Sequence, residues 1–238
     1  MMRIASVQVG RPRTYAAPEG TRRDTWTSAI AKQPVAVPLR LGTEGLAGDE
    51  QADRKSHGGP HKAALAYAAA HYPEWARELG RELPPGGFGE NFTVAGAGET
   101  EVCIGDRWQI GSALVEVSQP REPCRNPALY WRIPGLDQFM RDTGRTGWYV
   151  RVLAPGEVAA GDAIVRLARP CPDWTVARVN QVFYRQGDFR VLEALRPAML
   201  ALAALAQLSP GWRARFARSA ASLATQPPSR FPDGAEAV

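Results

Sequence analysis

The sequence predicts a mostly β protein with added α-helices, in which a β-barrel with peripheral helices precedes a small three-helix bundle. Short segments with alternating apolar residues recur through the first part of the chain, and 23 Gly and 20 Pro punctuate the sequence. Helical spacing of apolar residues dominates only after the Arg169–Asp173 stretch, where the composition changes. We therefore place one domain at residues 1–170 and a second at residues 171–238.

In the first half, alternation and breakers define the elements. Ile4–Val9 alternates and predicts the first strand, which Gly10 and Pro12 end. Residues 11–23 are predicted to form a loop. Short apolar runs predict the next strands, at residues 26–32, 35–37, 39–41, 63–67 and 89–94. Residues 69–79 predict a helix with Gly80 as its C-terminal cap.

In the second half, Val102–Gly111 is predicted to form a hairpin that turns at Gly105-Asp106, with Cys103 packed in the core. A helix is predicted at residues 136–141. Further strands are predicted at residues 115–119, 147–153, near 158 and at 164–167. The C-terminal bundle is predicted to have helices at 176–183 and 192–202 and a third that opens at Pro210. The tail from Gln226 is predicted to be disordered.

The composition is that of an ordinary soluble globular protein, with 45% hydrophobic and 22% charged residues. Met1–Val9 has no signal-sequence pattern, and the longest apolar run, Ala198–Ala206, is too short to span a membrane. The 3 cysteines are odd in number and well separated, so no disulfide framework is expected. These observations predict a cytoplasmic protein without a membrane partner.

Positive charge is concentrated near the C-terminus. The net charge is +5, and after Trp174 there are 8 arginines against 4 carboxylates. Such a segment can contact nucleic acid or an acidic protein, but we interpret it as a solvated helix face.

The stretch Val115–Arg125 carries the clearest chemical signal. It begins as a strand, which Pro120 and Pro123 end, so that Cys124 is presented on a rigid loop between Arg121 and Arg125. Positive charge beside a thiol favours the thiolate, which is the nucleophilic and metal-binding form. An ordinary half-buried cysteine is the alternative.

A second candidate site is Ser56-His57-Gly58-Gly59-Pro60-His61-Lys62. Paired glycines allow the backbone to approach a ligand closely, and the adjacent His and Lys can contact an anion. The stretch matches neither a Walker loop nor a dinucleotide-binding fingerprint, and a plain Gly-Gly-Pro turn is the alternative.

Five short motifs occur in a fixed order along the chain. They are Gly48–Asp53, His57–Pro60, Phe88–Asn91, Ile104–Asp106 and Gln119–Cys124. In this order they resemble MOSC domain proteins, most closely the bacterial YiiM-like branch. Pro172–Ala177 also resembles the opening of the three-helix domain that follows MOSC in that branch. The resemblance covers nearly the whole chain.

The resemblance implies a β-barrel that holds the molybdenum cofactor (Mo-molybdopterin), with Cys124 as the catalytic residue and metal ligand. A soft thiolate suits a metal already bound by dithiolene sulfur. It also implies reduction of a small-molecule N-hydroxylated substrate, such as a hydroxylaminopurine or an amidoxime, with electrons from a flavoprotein reductase. Binding of pyridoxal phosphate is left open.

The cofactor carries a phosphate and a pterin that is rich in donors and acceptors. Residues matched to the family motifs are therefore candidate cofactor contacts: His57, Gly58 and Lys62 for the phosphate, with Lys32 in the similar Ser28–Pro34 stretch as a second phosphate candidate, and Asn91, Gln119 and Arg121 for the pterin or the Cys124 loop. A loop-bracing hydrogen bond or a surface charge is the alternative role for each.

The chain departs from the family pattern at His61, where an acidic residue is common, and at Asn126, where a Lys is common. Three other classes of function remain open beside the reductase. One is a nucleic-acid-binding module built on the basic C-terminal helices. A molybdenum cofactor or sulfur carrier would bind the cofactor without turnover. A cysteine hydrolase would pair Cys124 with His57, His61 or His71, although no orienting Asp or Asn stands at a recognisable spacing.

Overall fold

The computed structural model describes residues 1–19, 24–185 and 189–225. Strands occupy Arg3–Val9 (β1), Arg13–Ala16 (β2), Thr25–Ser28 (β3), Gln33–Pro34 (β4), Leu39–Gly42 (β5), Gly45–Leu46 (β6), Ala64–Ala68 (β7), Phe92–Ala95 (β8), Arg107–Ile110 (β9), Ala113–Pro120 (β10), Trp148–Ala154 (β11), Gly156–Val158 (β12) and Ile164–Ala168 (β13). Helices occupy Arg54–His57 (α1), His71–Leu79 (α2), Asn126–Trp131 (α3), Leu136–Thr143 (α4), Val176–Tyr184 (α5), Phe189–Ala204 (α6) and Pro210–Thr225 (α7). A 3-10 turn covers Pro60–Lys62.

Eight strands form one curled sheet, in the order β13-β9-β10-β11-β7-β8-β1-β4. Neighbouring strands are antiparallel except β7 and β8, which are parallel. A bridge between Arg3 and Ala163 links the beginning of β1 to the residue before β13, so the two ends of the sheet approach each other. The predicted mostly β fold with peripheral helices is confirmed, as a half-barrel.

The main hydrophobic core joins strands of this sheet to the C-terminal helices. Every residue of β7, whose sequence is Ala-Leu-Ala-Tyr-Ala, is buried, because the strand is covered on both faces. Trp108 and Trp148 are fully buried on neighbouring parts of the sheet and contact each other edge to face, with ring centroids 6.3 Å apart. Trp148 of β11 lies opposite the small Ala66 of β7, so a bulky residue is accommodated beside a small one in the close-packed interior.

The predicted three-helix bundle is confirmed as α5, α6 and α7. Thr175 caps α5 by accepting a hydrogen bond from the amide of Arg178, and Pro210 begins α7. Val176 and Trp212 of the bundle belong to the same hydrophobic cluster as Trp108 of the sheet, so the helices share the core of the half-barrel. The division into two domains after residue 170 stays a prediction, and the predicted disorder from Gln226 lies outside the described residues.

Several predicted boundaries in the first half are wrong. Residues 13–16 are a strand and not a loop, because β2 pairs with β3 and the ring of Tyr15 stacks on Trp26 at 4.9 Å. The strand predicted at 26–32 ends at Ser28, since the chain then turns with the amide of Lys32 donating to Ile30. Residues 35–37 are not a strand, and the short β4 precedes them at Gln33–Pro34.

In the second half one prediction fails and one helix is missed. Val102–Gly111 is not a hairpin: Cys103 forms a bridge to Thr175, while β9 pairs with β10 and β13. Helix α3 was not predicted, because its run is short and Pro127 reads as a breaker, although Pro fits the first turn of a helix. Within the described residues, no helix has the length and hydropathy needed to cross a bilayer.

Candidate functional site

A cleft open to solvent contains most of the predicted site residues. The cleft is bounded by the end of β3, the loops around Asp49 and Phe88, helix α1 and the loop that follows β10. It is lined by Thr27, Ser28, Ala29, Ile30, Lys32, Asp49, Glu50, Gln51, Ala52, Asp53, His57, Lys62, Leu65, Phe88, Gly89, Asn91, Arg121, Cys124, Asn126 and Tyr149.

Cys124 lies on the loop between β10 and α3, half-buried in the wall of the cleft. Burial raises the pKa of its thiol, but a hydrogen bond with His57 and the positive charge of Arg121 outweigh this effect. The pKa falls from its ordinary 9.0 to about 7. The backbone amide of Asn126 also favours the thiolate, so this sulfur is a ready nucleophile or metal ligand.

The other two thiols have the opposite character. Cys103 and Cys171 are buried and free, and burial raises the pKa of each. Cys103 donates a weak hydrogen bond to the carbonyl of Pro172, at 3.4 Å. Neither thiol lines the cleft. Both therefore act as small packing residues.

Arg121 places an uncompensated positive charge beside the thiol. Its side chain is buried, with 3% of the residue exposed, and Nη2 lies 3.9 Å from Sγ of Cys124. The same nitrogen donates to the carbonyl of Phe88 at 3.3 Å, and Nη1 contacts the sulfur of Met140 at 3.5 Å. Among the salt bridges of the described residues, none involves Arg121. A buried guanidinium without a carboxylate favours an anion in its place, here the thiolate or an anionic ligand.

Lys62 adds a second cation to this end of the cleft, which His57 also lines. The ammonium of Lys62 donates to the carbonyl of Ser56 and lies 5.8 Å from the centre of the Tyr149 ring. Burial lowers the pKa of Lys62. Gly58 lies beside the cleft, where a Cβ atom would come within 2.9 Å of the carbonyl oxygen of Arg54.

Lys32 and Asn91 lie at a different end of the cleft, where the positive charge of Lys32 is neutralised by a carboxylate. Lys32 forms a buried ion pair with Asp49, and burial lowers its pKa. Asn91 donates to the same carboxylate at 2.9 Å and accepts the amide of Leu65 at 3.1 Å. Asp49 was not predicted as a site residue, although it lies in one of the five motifs. Gln119 is buried in β10 and does not line the cleft.

Of the three histidines, His57 reaches the thiol. His61 lies outside the cleft, with Nδ1 3.2 Å from Nη1 of Arg151, and His71 pairs with Glu99 at 2.7 Å. A Cys-His hydrolase would therefore use His57, but no hydrogen bond of the described residues joins the ring of His57 to a carboxylate or amide that would orient it. Asn126, the second departure from the family pattern, lines the cleft.

The donor set of the cleft fits the molybdenum cofactor. Within the described part of the chain, no group of three or more His, Cys, Asp or Glu is arranged to hold a metal ion. A metal here would have to bring most of its own ligands, and one soft thiolate beside cationic groups suits an anionic metal–dithiolene group. Gly89 leaves the wall open: its φ is +82°, and a Cβ there would lie 2.8 Å from Cδ1 of Ile30.

Comparison with known families gives two matches. Residues 53–165 match the MOSC domain model, and residues 174–218 match the model of the YiiM-like 3-alpha helix domain. The first match contains Cys124 and strands β7–β12, and the second contains most of the helical bundle; strands β1–β6 precede both.

Three relatives and a solved structure are similar along much of the chain. Uncharacterized protein YflK of Bacillus subtilis is 38% identical over 90% of this chain and 92% of its own length. Protein YiiM of Escherichia coli is 42% identical over 71% of this chain and 75% of its own length. A protein of Gibberella moniliformis named reductase is 39% identical over 66% of this chain and 28% of its own length. The crystal structure of YiiM from Geobacillus stearothermophilus superposes with a TM-score of 0.76 and 33% identity, covering 92% of this chain and 100% of that one.

Proposed function

The chain belongs to the MOSC family, in the branch of YiiM and its relatives, and from this premise we propose that it is a molybdenum cofactor-dependent reductase of N-hydroxylated compounds. The observation that carries the proposal is the Cys124 thiolate beside the buried, unpaired guanidinium of Arg121. The sulfur is a soft ligand, and the guanidinium is a cation without a salt-bridge partner among the described residues, in an open cleft. A cysteine that only packs in the core needs neither access to a cleft nor a neighbouring cation.

The proposed reaction converts R–NHOH, two electrons and two protons into R–NH₂ and water. When bound, the molybdenum cofactor supplies the two-electron chemistry that this cleavage of the N–O bond requires. The protein itself contributes binding, orientation and protons.

Each role follows from the position of a side chain. Cys124 would be the metal ligand through Sγ. Arg121 and Lys62 would hold the anionic part of the cofactor, since neither forms a salt bridge among the described residues. His57 lines the cleft beside the thiol, so its imidazole can hold a proton for the departing oxygen. Lys32 and Asn91 would shape the opposite wall through Asp49.

The electrons require a second protein, and we propose a flavoprotein reductase in the cytoplasm. The relative named reductase supports this assignment, because the match covers 28% of its length and most of that protein lies outside it. The C-terminal arginines are poor candidates for a nucleic-acid surface, since several make internal contacts. Arg196 donates to Ala220 and Arg213 to Ala203, while Arg215 pairs with Glu122.

The test combines metal analysis with turnover. Protein purified from a host that makes the cofactor is expected to contain molybdenum and to reduce a hydroxylaminopurine when a chemical electron donor is added. Cys124→Ser should lose both properties and stay folded, because oxygen is a harder ligand than sulfur. Cys103→Ser is the matched control and should keep them.

Three results would contradict the proposal. Full activity of Cys124→Ser would remove the assigned ligand. Molybdenum without turnover would indicate a cofactor or sulfur carrier. A covalent adduct of Cys124 with an acylating probe, formed in protein that lacks molybdenum but turns over esters, would indicate a hydrolase.

A further inference from the structure

Glu90 is a buried carboxylate to which the proposed chemistry gives no role. It is fully buried and accepts hydrogen bonds from four groups, and no salt bridge of the described residues involves it. Its donors are the amide of Gly86 at 2.7 Å, the amide of Phe88 at 3.2 Å, the hydroxyl of Thr93 at 3.0 Å and the hydroxyl of Tyr72. A buried carboxylate is costly unless its oxygens are satisfied, so this arrangement has a structural purpose.

The two amides that Glu90 binds belong to one turn. The turn closes where the amide of Gly89 donates to the carbonyl of Gly86 at 2.9 Å, and it presents the carbonyl of Phe88 to Nη2 of Arg121 at 3.3 Å. Phe88 and Gly89 line the cleft. Glu90 therefore fixes the piece of backbone that the guanidinium of Arg121 contacts.

The same turn is held from the side of the Cys124 loop. Nε1 of Trp131, in the helix that follows Cys124, donates to the carbonyl of Gly87 at 2.6 Å. The backbone of Arg121 is fixed separately, because its amide donates to the carbonyl of Gly147 at 3.0 Å. The guanidinium of Arg121 is oriented separately from its backbone, and the carbonyl of Phe88 is the backbone acceptor that holds Nη2, while Nη1 contacts the sulfur of Met140.

We infer that Glu90 is a positioning residue, which fixes the turn at residues 86–89 so that the carbonyl of Phe88 holds the guanidinium of Arg121 beside Cys124. The effect on turnover rests on the proposed function, whereas the effect on Arg121 does not. Glu90 itself does not line the cleft, so it acts through other groups.

The geometry explains why a carboxylate stands at this position. Oε1 accepts from Gly86, Thr93 and Tyr72, while Oε2 accepts from Phe88. In Glu90→Gln one oxygen can keep the first three donors, but the amide NH₂ group would face the N–H of Phe88, and two donors cannot bond. Tyr72→Phe is the matched control, because it removes one donor from the carboxylate and one contact with the backbone of Gly87, and leaves the amides of Gly86 and Phe88 bonded to Glu90.

The experiment reads the turn and Arg121 in cofactor-free protein first. Hydrogen exchange of the Phe88 amide should rise about tenfold or more in Glu90→Gln, as the loss of a bond to a charged group implies, and stay near wild type in Tyr72→Phe. With ¹⁵N-arginine labelling, the guanidinium signal that is absent from Arg121→Lys should be sharp in wild type and in Tyr72→Phe, and broadened in Glu90→Gln.

The loaded enzyme gives the second readout. Glu90→Gln should bind less molybdenum and, per bound metal, show a lower kcat with little change in KM well below its melting temperature. A merely stabilising residue would lower the melting temperature and leave those values unchanged. If Glu90→Gln does not fold, Glu90→Asp replaces it, because the shorter side chain keeps the charge but cannot reach both turn amides.

The outcomes separate the two proposals. Wild-type protein without molybdenum or turnover overturns the proposed function, and the arginine spectra still decide the role of Glu90. A sharp Arg121 signal and unchanged Phe88 exchange in Glu90→Gln overturn the inference. Equal losses in Glu90→Gln and Tyr72→Phe also overturn it, because the carboxylate would then have no specific role in the turn.

Discussion

Replacing Arg121 by Met is expected to raise the pKa of the Cys124 thiol in cofactor-free protein. A unit charge 3.9 Å from the sulfur interacts with the thiolate by about 4 kcal/mol at an effective dielectric constant of about 20, and by about 1 kcal/mol at the value for water. One pKa unit corresponds to about 1.4 kcal/mol. Because Cys124 is half-buried, the expected rise is about one to three units above the wild-type value of about 7.

The rise can be measured from the rate of iodoacetamide alkylation at Cys124 against pH, read by peptide mass spectrometry. Wild-type protein should show a midpoint near its pKa of about 7, and Arg121→Met a midpoint of about 8 or higher. Arg125→Met is the matched control, since Arg125 flanks the same cysteine but is exposed. An unchanged midpoint in Arg121→Met, or an equal rise in Arg125→Met, would refute a contribution of the buried guanidinium to the thiolate beside that of the His57 hydrogen bond.

Three further predictions concern stability and the cleft wall. The pKa of the Cys124 thiol is about 7 in the folded protein and 9.0 ordinarily, so the folded state favours the thiolate. In urea titrations, the free energy of unfolding of wild type relative to Cys124→Ala should therefore be larger by about 1 to 2 kcal/mol above pH 9, and this difference should disappear as the pH falls through 7. A difference that grows towards acid pH would contradict the prediction. Lys32→Met leaves the buried carboxylate of Asp49 without its ion-pair partner and should lower the free energy of unfolding in urea by about 3 kcal/mol or more. Lys55→Met is the control, because Lys55 is exposed, and it should change this free energy little. Equal losses in the two variants would contradict the stabilising role of the buried pair. Gly89→Ala should lower molybdenum content more than Gly161→Ala, because both have positive φ but only the first Cβ would meet a neighbour, at 2.8 Å; equal contents would show that the wall is not used.

Much of the fold follows from local patterns in the sequence, and the failures have a common cause. Short apolar runs mark β1 and β11, and helical spacing marks α5 and α7, because each of the two helices presents one regular face to the core. Strand β2 has no such pattern, since its pairing with β3 and the stacking of Tyr15 on Trp26 arise only in three dimensions. The same holds for Cys103, whose partner Thr175 is far along the chain.

The candidate site could be predicted as a set of residues but not as an arrangement of charges. The motifs that resemble the MOSC family contain Cys124, Arg121, His57 and Asn91, and these line one cleft. The sequence does not reveal which cation already has a partner, because ion pairs join residues that are distant in the chain. Lys32 and Asp49 are an example, 17 positions apart.

This difference in charge balance decides how the cleft can be used. At the wall with Lys32 the ammonium is neutralised by Asp49, so an anion arriving there would compete with a buried ion pair that is costly to break. At the wall with Cys124, Arg121 and Lys62 form no salt bridge with any described residue, and an anionic ligand would gain their charge without displacing a carboxylate. An anionic group of the cofactor should therefore bind closer to Lys62 than to Lys32. Molybdenum loading that falls in Lys62→Met but not in Lys32→Gln would bear this out, whereas the reverse order would move the anion site to the other wall.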